Sequence, residues 1–255
     1  MTREVRRVGV VGEDTERAVA TLDDAGLESV VGPPGTVLDA DLDVALGLGE
    51  PSVLALARER PTVPLLPVDA GAGLRSVPLD RLGDTATRLL TGNWETESHP
   101  LVTVDDGTRR TLALTDAMLA TAEPAHISEF SVTANGERVA RFRADGIVAA
   151  TPAGTAGYAR NAGAPVIPPG PSVLALVPIA PFATTLDHWV VPADDVRITV
   201  EREDATVEVL ADDRIVGHAS VGVPVELSTG GTAELVRVPE SQSPFALRGA
   251  ELEKL

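Results

Sequence analysis

The clearest candidate for a ligand-binding segment runs from Asp145 to Pro165. An apolar stretch ends at Ala150, and small residues and glycines follow it as far as Tyr158, the one tyrosine in the sequence. Small residues let a backbone approach a flat or phosphorylated ligand closely, and an aromatic ring can flank a base. The same pattern is typical of a strand, a tight turn and a buried tyrosine, so spacing alone leaves both interpretations open.

A second candidate is the glycine-containing turn around Glu50. The apolar stretch Val44–Leu46 is followed by Gly47 and Gly49, and then by a helical pattern over Val53–Arg58. Glycines between a strand and a helix are typical of nucleotide-binding loops, but the third glycine of the dinucleotide fingerprint is missing. An ordinary strand-to-helix turn with an exposed glutamate is the other interpretation.

Several classes of chemistry are excluded by what the sequence lacks. It contains no cysteine, and hence no thiol nucleophile, disulfide or cysteine-ligated metal. The four histidines show no paired spacing for zinc, and neither a G-x-S-x-G elbow nor a G-x-x-x-x-G-K-[ST] loop occurs. Thiol catalysis and serine hydrolysis are therefore not predicted, and no residue is predicted to ligate a metal.

The composition is strongly acidic. The chain has 38 Asp and Glu residues against 21 Lys and Arg residues, a net charge of −17, and its only lysine is Lys254. Such a surface repels nucleic acids and anionic membranes, so neither is expected as a partner. Acidity with almost no lysine resembles proteins of halophilic organisms, in which salt screens the repulsion. The absence of a long apolar run and of a secretory signal predicts a cytoplasmic protein.

The pattern of elements predicts an α/β first half. Apolar runs alternate with helical stretches over residues 5–92, which is typical of a parallel sheet with helical connections. The clearest helix carries its apolar residues three and four positions apart, which places them on one face. These residues are Leu79, Leu82, Ala86, Leu89 and Leu90. The polar stretch 91–100 is predicted to be a linker.

The second half is predicted to be mostly β. After Trp94 the segments are short, rich in Val, Ile and Thr, and separated by Gly and Pro. Asn135 and Gly136 lie between two such segments and predict a hairpin, because both residues accept a positive φ. Near the end of the chain, residues 223–227 and 233–238 are predicted as separate strands.

The segment from 145 to 165 resembles the signature of the NAD kinase family, D-G-x-x-x-x-T-P-T-G-S-T-A-Y-x-x-S-A-G-G-P. The residues that match it without a gap are Asp145, Gly146, Thr151, Pro152, Gly154, Tyr158, Ala162, Gly163 and Pro165. Downstream, residues 177–192 resemble the family's T-P-I-C-P-H-S-L-S-F-R-P-I-V-L-P. Upstream, Ser128-Glu129 is similar to its Asn-Glu pair. The resemblance covers nearly the whole chain.

The resemblance implies a fold and domain boundaries. It implies an α/β, Rossmann-like nucleotide-binding domain over residues 1–97 and an all-β, sandwich-like dinucleotide-binding domain over residues 98–238. A tail, residues 239–255, would pack back on the first domain. In this family the active site lies between the two domains and the proteins are dimers or tetramers, so a homo-oligomer is expected.

The resemblance also implies a reaction. The family transfers a phosphoryl group, usually from ATP with Mg²⁺, to the 2′-hydroxyl of the adenosine ribose of NAD, which makes NADP. This chemistry requires positioning, charge neutralisation and one carboxylate that accepts the hydroxyl proton. Glu50 stands at that catalytic position, in a Leu48–Ser52 turn where the family has G-G-D-G-T. The residues implied to bind the dinucleotide and ATP are Gly49, Ser52, Asp69, Ser128, Glu129, Asp145, Thr151, Ala153, Ala156, Gly157, Tyr158 and Asn161.

Several positions depart from the family pattern. Pro51 replaces a glycine, which fixes φ and removes a backbone N–H that could meet a phosphate oxygen. Glu50 is one methylene longer than the family's Asp, Ser128 replaces an Asn, and Asp187 replaces an Arg. Two functions therefore stay open beside the kinase. One is a dinucleotide-binding sensor or regulator without phosphoryl transfer, and the other is a kinase or binder for another small hydroxylated ligand.

Overall fold

The computed structural model describes residues 4–123, 126–183 and 187–245, and these residues form two compact units. The first unit comprises the described residues up to Ser98 together with those from Ala233 onward. The second unit comprises His99–Thr232. The segment 233–238, predicted to belong to the β-rich domain, lies in the first unit, where Leu235 pairs with Leu65 of the parallel sheet.

The first unit is built on a parallel sheet. Its strands in chain order are β1 (Arg7–Val11), β2 (Glu28–Val31), β3 (Val44–Leu48) and β4 (Leu65–Val68). Across the sheet their order is β2-β1-β3-β4, and every pair is parallel. The helices of this unit are α1 (Glu16–Ala25), α2 (Pro34–Leu38), α3 (Glu50–Arg58) and α4 (Leu82–Leu90). Parallel pairing follows because each helical connection returns the chain to the same end of the sheet.

Periodicity and burial agree in the best predicted elements of this unit. β1 and β3 are buried along most of their length, as expected for strands that helices cover on both faces. The predicted helix is confirmed from Leu82 onward as α4, which buries Leu82, Ala86 and Leu89 against the sheet, whereas Leu79 lies in the preceding 3-10 turn. β2 and α2 were not predicted, because both are short and β2 has no fully buried residue that would mark a period.

The second unit is β-rich. Its strands, two of which continue into the first unit, are β5 (Glu95–Asp105), β6 (Arg110–Ala113), β7 (Asp116–Thr121), β8 (Ser128–Ala134), β9 (Glu137–Ala144), β10 (Gly146–Ala150), β11 (Val173–Ile179), β12 (Trp189–Pro192), β13 (Val196–Arg202), β14 (Val207–Ala211), β15 (Arg214–Ala219) and β16 (Pro224–Arg237). Between β10 and β11 the structure describes a 3-10 turn, Gly154–Ala156, and one short α-helix, α5 (Tyr158–Asn161).

The strands of the second unit form two antiparallel layers around one core. One layer has the order β12-β11-β10-β7-β14-β15, and in the other β13 lies between β16 and β8, with β9 beside β8. Apolar side chains of both layers meet in one cluster, for example Phe130 and Ile198 with Leu119 and Ile147. β8 alternates strictly between buried and half-buried residues, as a strand with one face on a core does. The predicted fold, α/β followed by an all-β sandwich, is confirmed.

The predicted hairpin is also confirmed. β8 and β9 are antiparallel neighbours, with Ala134 opposite Glu137. Asn135 and Gly136, which connect them, have φ values of 50° and 78°. Positive φ at both central residues is the geometry that follows the twist of the flanking strands.

Two local predictions were wrong. The predicted linker, residues 91–100, is strand from Glu95 onward. The two strands predicted at 223–227 and 233–238 are one continuous strand, β16, which runs through Gly230. Gly230 allows a close approach within this strand: a Cβ there would lie 2.6 Å from Leu112 Cδ2 and 3.2 Å from the carbonyl oxygen of Leu101.

The described part of the tail contacts the first unit. The backbone N–H of Gln242 donates to the carbonyl of Ser76 at 2.9 Å, and Arg88 Nε lies 3.0 Å from the carboxylate of Glu240. The rest of the predicted tail, residues 246–255, lies outside the described residues. Within the described ranges, no helix combines the length and the apolar character that a membrane crossing requires.

Candidate functional site

A cleft of about 760 Å³ lies at the carboxyl ends of the parallel strands in the first unit. The segments that follow β1, β2, β3 and β4 line it. The strand order reverses between β1 and β3, so their following loops diverge and leave a crevice, where α/β sheets bind ligands. Polar and glycine residues at its wall include Gly12, Glu13, Asp14, Gly49, Ser52 and Asp69.

Gly12 and Gly49 line this cleft, and Gly47 lies two residues before Gly49 in β3. Gly49 has φ 80°, and its N–H donates to the carbonyl of Val68 at 2.8 Å, which ties the turn after β3 to the end of β4. Gly47 lets α3 approach β3, because a Cβ there would lie 2.7 Å from Val53 Cγ2. Gly12 likewise allows close packing against Leu48, because a Cβ on residue 12 would lie 2.7 Å from the Cβ of Leu48. Of the two glycines in the incomplete pattern, Gly47 is therefore needed for close packing and Gly49 for its positive φ.

Glu50 is the first residue of α3 and is exposed beside the cleft, between the lining residues Gly49 and Pro51. The positive end of a helix dipole stabilises a negative charge at this place. Pro51 occupies the next helical position, where proline fits the backbone but supplies no N–H to a bound anion. The turn therefore presents a carboxylate and withholds one of the donors that a phosphate would use.

The cleft wall carries negative charge. Glu13, Asp14 and Asp69 line it, and no Arg or Lys stands among the described residues that do. Asp69 adopts φ 49°, and its Oδ1 accepts a hydrogen bond from the N–H of Leu79 at 3.1 Å. A phosphate chain placed here would need a cation with it, because like charges repel. Of the sequence-predicted residues, Gly49, Ser52 and Asp69 line this one cleft, with Glu50 beside them.

In the second unit, a first group of predicted residues lies where β8 meets the end of β9. Ser128 is paired with Ala144, which places Ser128 and Glu129 next to Asp145. The side chain of Ser128 is fully buried, and its Oγ has no hydrogen-bond partner among the described residues. Burial of that hydroxyl removes it from the surface on which a ligand would bind.

Glu129 is held by a basic neighbour. Its Oε1 accepts a hydrogen bond from Arg141 Nε at 2.8 Å. This bond lowers the pKa of the Glu129 carboxyl, burial opposes the shift, and the charges of Arg141, Arg143 and Arg202 add to the lowering. Glu129 therefore stays ionised to a lower pH than an ordinary glutamate and can accept hydrogen bonds from ribose hydroxyls.

A second group surrounds the small-residue segment after β10. The side chains of Thr151 and Ala153 are buried, so they pack inside the second unit and support the segment instead of facing a ligand. Ala156 is half-buried, whereas Gly157, Tyr158 and Asn161 are exposed, and Tyr158 is 47% exposed. Of the two interpretations of this segment, the one with a buried tyrosine is thus excluded. The exposed ring is available to a base that would stack on it.

The two groups are separate within the second unit. β10 runs from Gly146 to Ala150 between Asp145 and Thr151. At roughly 3.3 Å per residue, this strand places the two ends about 20 Å apart. The structure therefore brings Ser128, Glu129 and Asp145 together at one end of β10 and the residues from Thr151 to Asn161 together at the other.

The sequence assigned no role in the site to two residues that support the second group. Thr155 is fully buried, and its Oγ1 donates to the carbonyl of Pro152 at 2.7 Å and accepts from the N–H of Ile167 at 3.0 Å. Asp212 accepts several hydrogen bonds from the bend Leu114–Asp116, on which Thr151 rests. Burial raises the pKa of Asp212, although these hydrogen bonds oppose the shift. The sequence carries no signal for this long-range contact beyond the turn-forming pair Asp212-Asp213.

Comparison with protein families and curated proteins gives one consistent answer. Residues 114–236 match the model of the ATP-NAD kinase C-terminal domain. The NAD kinase of Gemmatimonas aurantiaca is 32% identical over 197 residues, which cover 74% of this chain and 65% of that protein. The NAD kinase of Methanosarcina mazei is 30% identical over 209 residues, which cover 79% of this chain and 66% of that protein. The matched part of the chain thus spans just under two thirds of these relatives.

Solved structures agree on the fold. A yeast NADH kinase complexed with NADH aligns with a TM-score of 0.77 at 15% identity, covering 93% of this chain and 85% of that one. An NAD kinase from Archaeoglobus fulgidus in complex with ATP aligns with a TM-score of 0.75 at 22% identity, covering 90% and 92%. At these identities the likeness establishes the architecture of both units.

Proposed function

Because this chain belongs to the NAD kinase family, we propose that it transfers a phosphoryl group from ATP to the 2′-hydroxyl of the adenosine ribose of NAD, which makes NADP. The observation that carries the proposal is the turn after β3. It keeps a carboxylate, Glu50, at the start of α3 and beside the cleft of about 760 Å³. Phosphoryl transfer to an alcohol needs a carboxylate of this kind.

In the proposed reaction, Glu50 accepts the proton of the 2′-hydroxyl. The ribose oxygen forms a bond to the γ-phosphorus, the bond from that phosphorus to the β–γ bridging oxygen breaks, and ADP leaves. The exposed position of Glu50 at the helix start lets its side chain reach a substrate oxygen, and the helix dipole favours the ionised form that acts as base.

Mg²⁺ is proposed to enter with ATP. The described residues contain no group of three or more acidic or histidine side chains that could hold a metal alone. This fits Mg²⁺, because the ion is usually held by one or two carboxylates together with nucleotide phosphates. Glu13 and Asp69, which line the acidic cleft, are the carboxylates assigned to it. When bound, the ion would neutralise charge on the transferred group.

The dinucleotide is proposed to use the surface residues of the second unit. Tyr158 would flank a base with its exposed ring, and the neighbouring backbone of Ala156 and Gly157 would let the ligand approach closely. Glu129 and Asp145 would accept hydrogen bonds from ribose hydroxyls. Cytoplasmic localisation and homo-oligomer assembly stay predictions, and light scattering after size-exclusion chromatography tests the second.

Pro51 favours a second candidate function. A binder that senses the dinucleotide without phosphoryl transfer would need the second unit but not a phosphate-binding turn. Pro51 removes an N–H at the helix start, and the cleft wall offers no Arg or Lys in its place among the described residues. This arrangement weakens binding of a phosphate chain while leaving the surface around Tyr158 unchanged.

Turnover and binding on one sample separate the two functions. Protein purified in concentrated KCl would be assayed for NADP formation from NAD, ATP and Mg²⁺, and for thermal stabilisation by NAD, NADP and ATP. NADP formation supports the kinase. A rise in Tm with NAD or NADP and no product supports the sensor, because a ligand that binds only the folded state stabilises it by mass action. If the protein neither forms NADP nor gains Tm with these ligands, both functions are contradicted.

A further inference from the structure

Asp212 joins the turn between β14 and β15 to a distant bend in the same unit. Its Oδ1 accepts hydrogen bonds from the N–H and the hydroxyl of Thr115 at 2.7 and 2.8 Å, and from the N–H of Leu114 at 2.9 Å. Its own N–H donates to the carbonyl of Asp116 at 2.9 Å. Hydrogen bonds to a carboxylate are among the stronger ones in proteins, so this residue fixes the bend Leu114–Asp116.

The opposite side of the bend holds the start of the small-residue segment. The carbonyl of Thr115 accepts from the N–H of Thr151 at 2.8 Å, and the carbonyl of Leu114 accepts from Thr151 Oγ1 at 2.6 Å. Gly154 packs directly on the bend, because a Cβ there would lie 2.1 Å from the carbonyl oxygen of Thr115. The peptide groups of the bend thus donate to Asp212 and accept from Thr151.

We propose that Asp212 is a positioning residue for dinucleotide binding. It holds the Leu114–Asp116 bend, and through the bend it holds the segment Thr151–Tyr158 in the conformation that presents the Tyr158 ring. The ring is half exposed at the end of this segment, whereas Asp212 is partly buried behind it. The identity of the ligand rests on the proposed function. The structural connection between Asp212 and Tyr158 through the bend does not depend on that function.

The single tyrosine makes this link measurable without turnover. The full-length protein would be labelled with 3-fluorotyrosine, so that its ¹⁹F NMR spectrum contains one signal, from Tyr158. Spectra and NAD dissociation constants would be compared for wild type, Asp212→Ala, Asp212→Asn and Asp195→Ala. Asp195 is the matched control, because it also occupies a turn of this unit with positive φ, 52° against 53°, but it contacts Asn135 and Arg197 instead of the bend.

Asp212→Ala is expected to shift or broaden the Tyr158 signal and to raise the NAD dissociation constant about tenfold, the size of one lost charge-assisted hydrogen bond. Asp212→Asn keeps the oxygen that accepts from Thr115 and is expected to stay within about threefold of wild type. Asp195→Ala is expected to change neither quantity. A Tyr158 signal and an NAD affinity that are the same in Asp212→Ala as in Asp195→Ala would overturn the proposal.

Two further readouts keep the test decisive. If Asp212→Ala does not fold, Thr115→Val removes only the hydroxyl bond to Asp212, and a smaller but measurable shift in the Tyr158 signal is expected. An unchanged signal in that variant would overturn the proposal. If wild type binds no NAD, the proposed function fails, while the Tyr158 signal of the Asp212 variants still decides whether Asp212 positions the segment.

Discussion

Pro51 is the residue that bears most directly on the proposed chemistry. It sits one position after Glu50 at the start of α3, where its fixed φ suits a helix but its ring replaces an N–H. The neighbouring Glu50 is one methylene longer than the family's Asp, and a reacting carboxylate that is displaced by about 1 Å can cost roughly 100-fold in rate. The missing N–H and the displaced carboxylate are expected to affect kcat more than binding of the dinucleotide, because both lie where the phosphoryl group would be transferred.

We expect Pro51→Gly combined with Glu50→Asp to raise kcat for NADP formation by roughly 10–100-fold, since it restores an N–H and the shorter carboxylate. The free energy of unfolding is expected to fall by about 1 kcal/mol, because glycine increases the freedom of the unfolded chain. Pro61→Gly, in the loop after α3, is the control for that loss. An unchanged kcat with intact NAD binding would show that this turn does not limit the reaction.

The Asp212 carboxyl gives a pH dependence with a definite sign. Burial raises its pKa, so between the ordinary carboxyl pKa of about 3.9 and the raised value the folded protein binds more protons than the unfolded chain. The contribution of Asp212 to the free energy of unfolding therefore falls as pH rises through that window. Asn cannot titrate, so the stability of wild type relative to Asp212→Asn is expected to be larger at about pH 4 than at pH 7. Urea unfolding at both pH values measures this, and the opposite trend would contradict it.

Among the elements, α3 depends on a glycine for its distance from β3. In Gly47→Ala the new Cβ would lie 2.7 Å from Val53 Cγ2 and 2.9 Å from Val53 N, so the helix must move. We expect the free energy of unfolding to fall by about 1–3 kcal/mol. Gly35→Ala is the matched control in α2, because nothing lies within 4 Å of its Cβ, and it is expected to gain about 0.5–1 kcal/mol. Equal stability of Gly47→Ala and wild type would show that α3 does not depend on this contact.

Elements with a strong local signal could be predicted from the sequence. The period of α4 and the Asn135-Gly136 turn are set by residues close together in the chain, and both predictions were confirmed. β2 and α2 lack such a signal, and the continuity of β16 depends on neighbours that a single sequence does not display. The formation of β2 and α2 and the continuity of β16 therefore depend on tertiary contacts.

The candidate site divides in the same way. The segment Thr151–Tyr158 could be found from its small residues and its match to a family signature. The sequence could not tell that Thr151 is buried while Tyr158 is exposed, because that difference depends on packing against the Leu114–Asp116 bend. The bond from Thr115 to Asp212 joins residues 97 positions apart and has no local pattern.

For the molecule as a whole, the net charge of −17 predicts a stability that depends on salt. The Debye length falls from about 10 Å at 0.1 M to about 3 Å at 1 M salt, so repulsion between surface carboxylates should be largely screened at 1 M. We expect Tm to rise from 0.1 to 1 M KCl and to change less above that. Sorbitol at matched osmolality controls for solute exclusion, and a Tm that does not respond to KCl would contradict the prediction.

The most direct test of the kinase proposal is the rate of NADP formation in Glu50→Gln, measured beside its NAD affinity. Glu59→Gln, at the other end of α3, makes the same change in charge outside the cleft and serves as the control. If Glu50 accepts the hydroxyl proton, kcat is expected to fall by about 10²–10⁴-fold while the NAD dissociation constant stays close to that of wild type. Wild-type kcat in Glu50→Gln would contradict the assignment of Glu50 as the catalytic base.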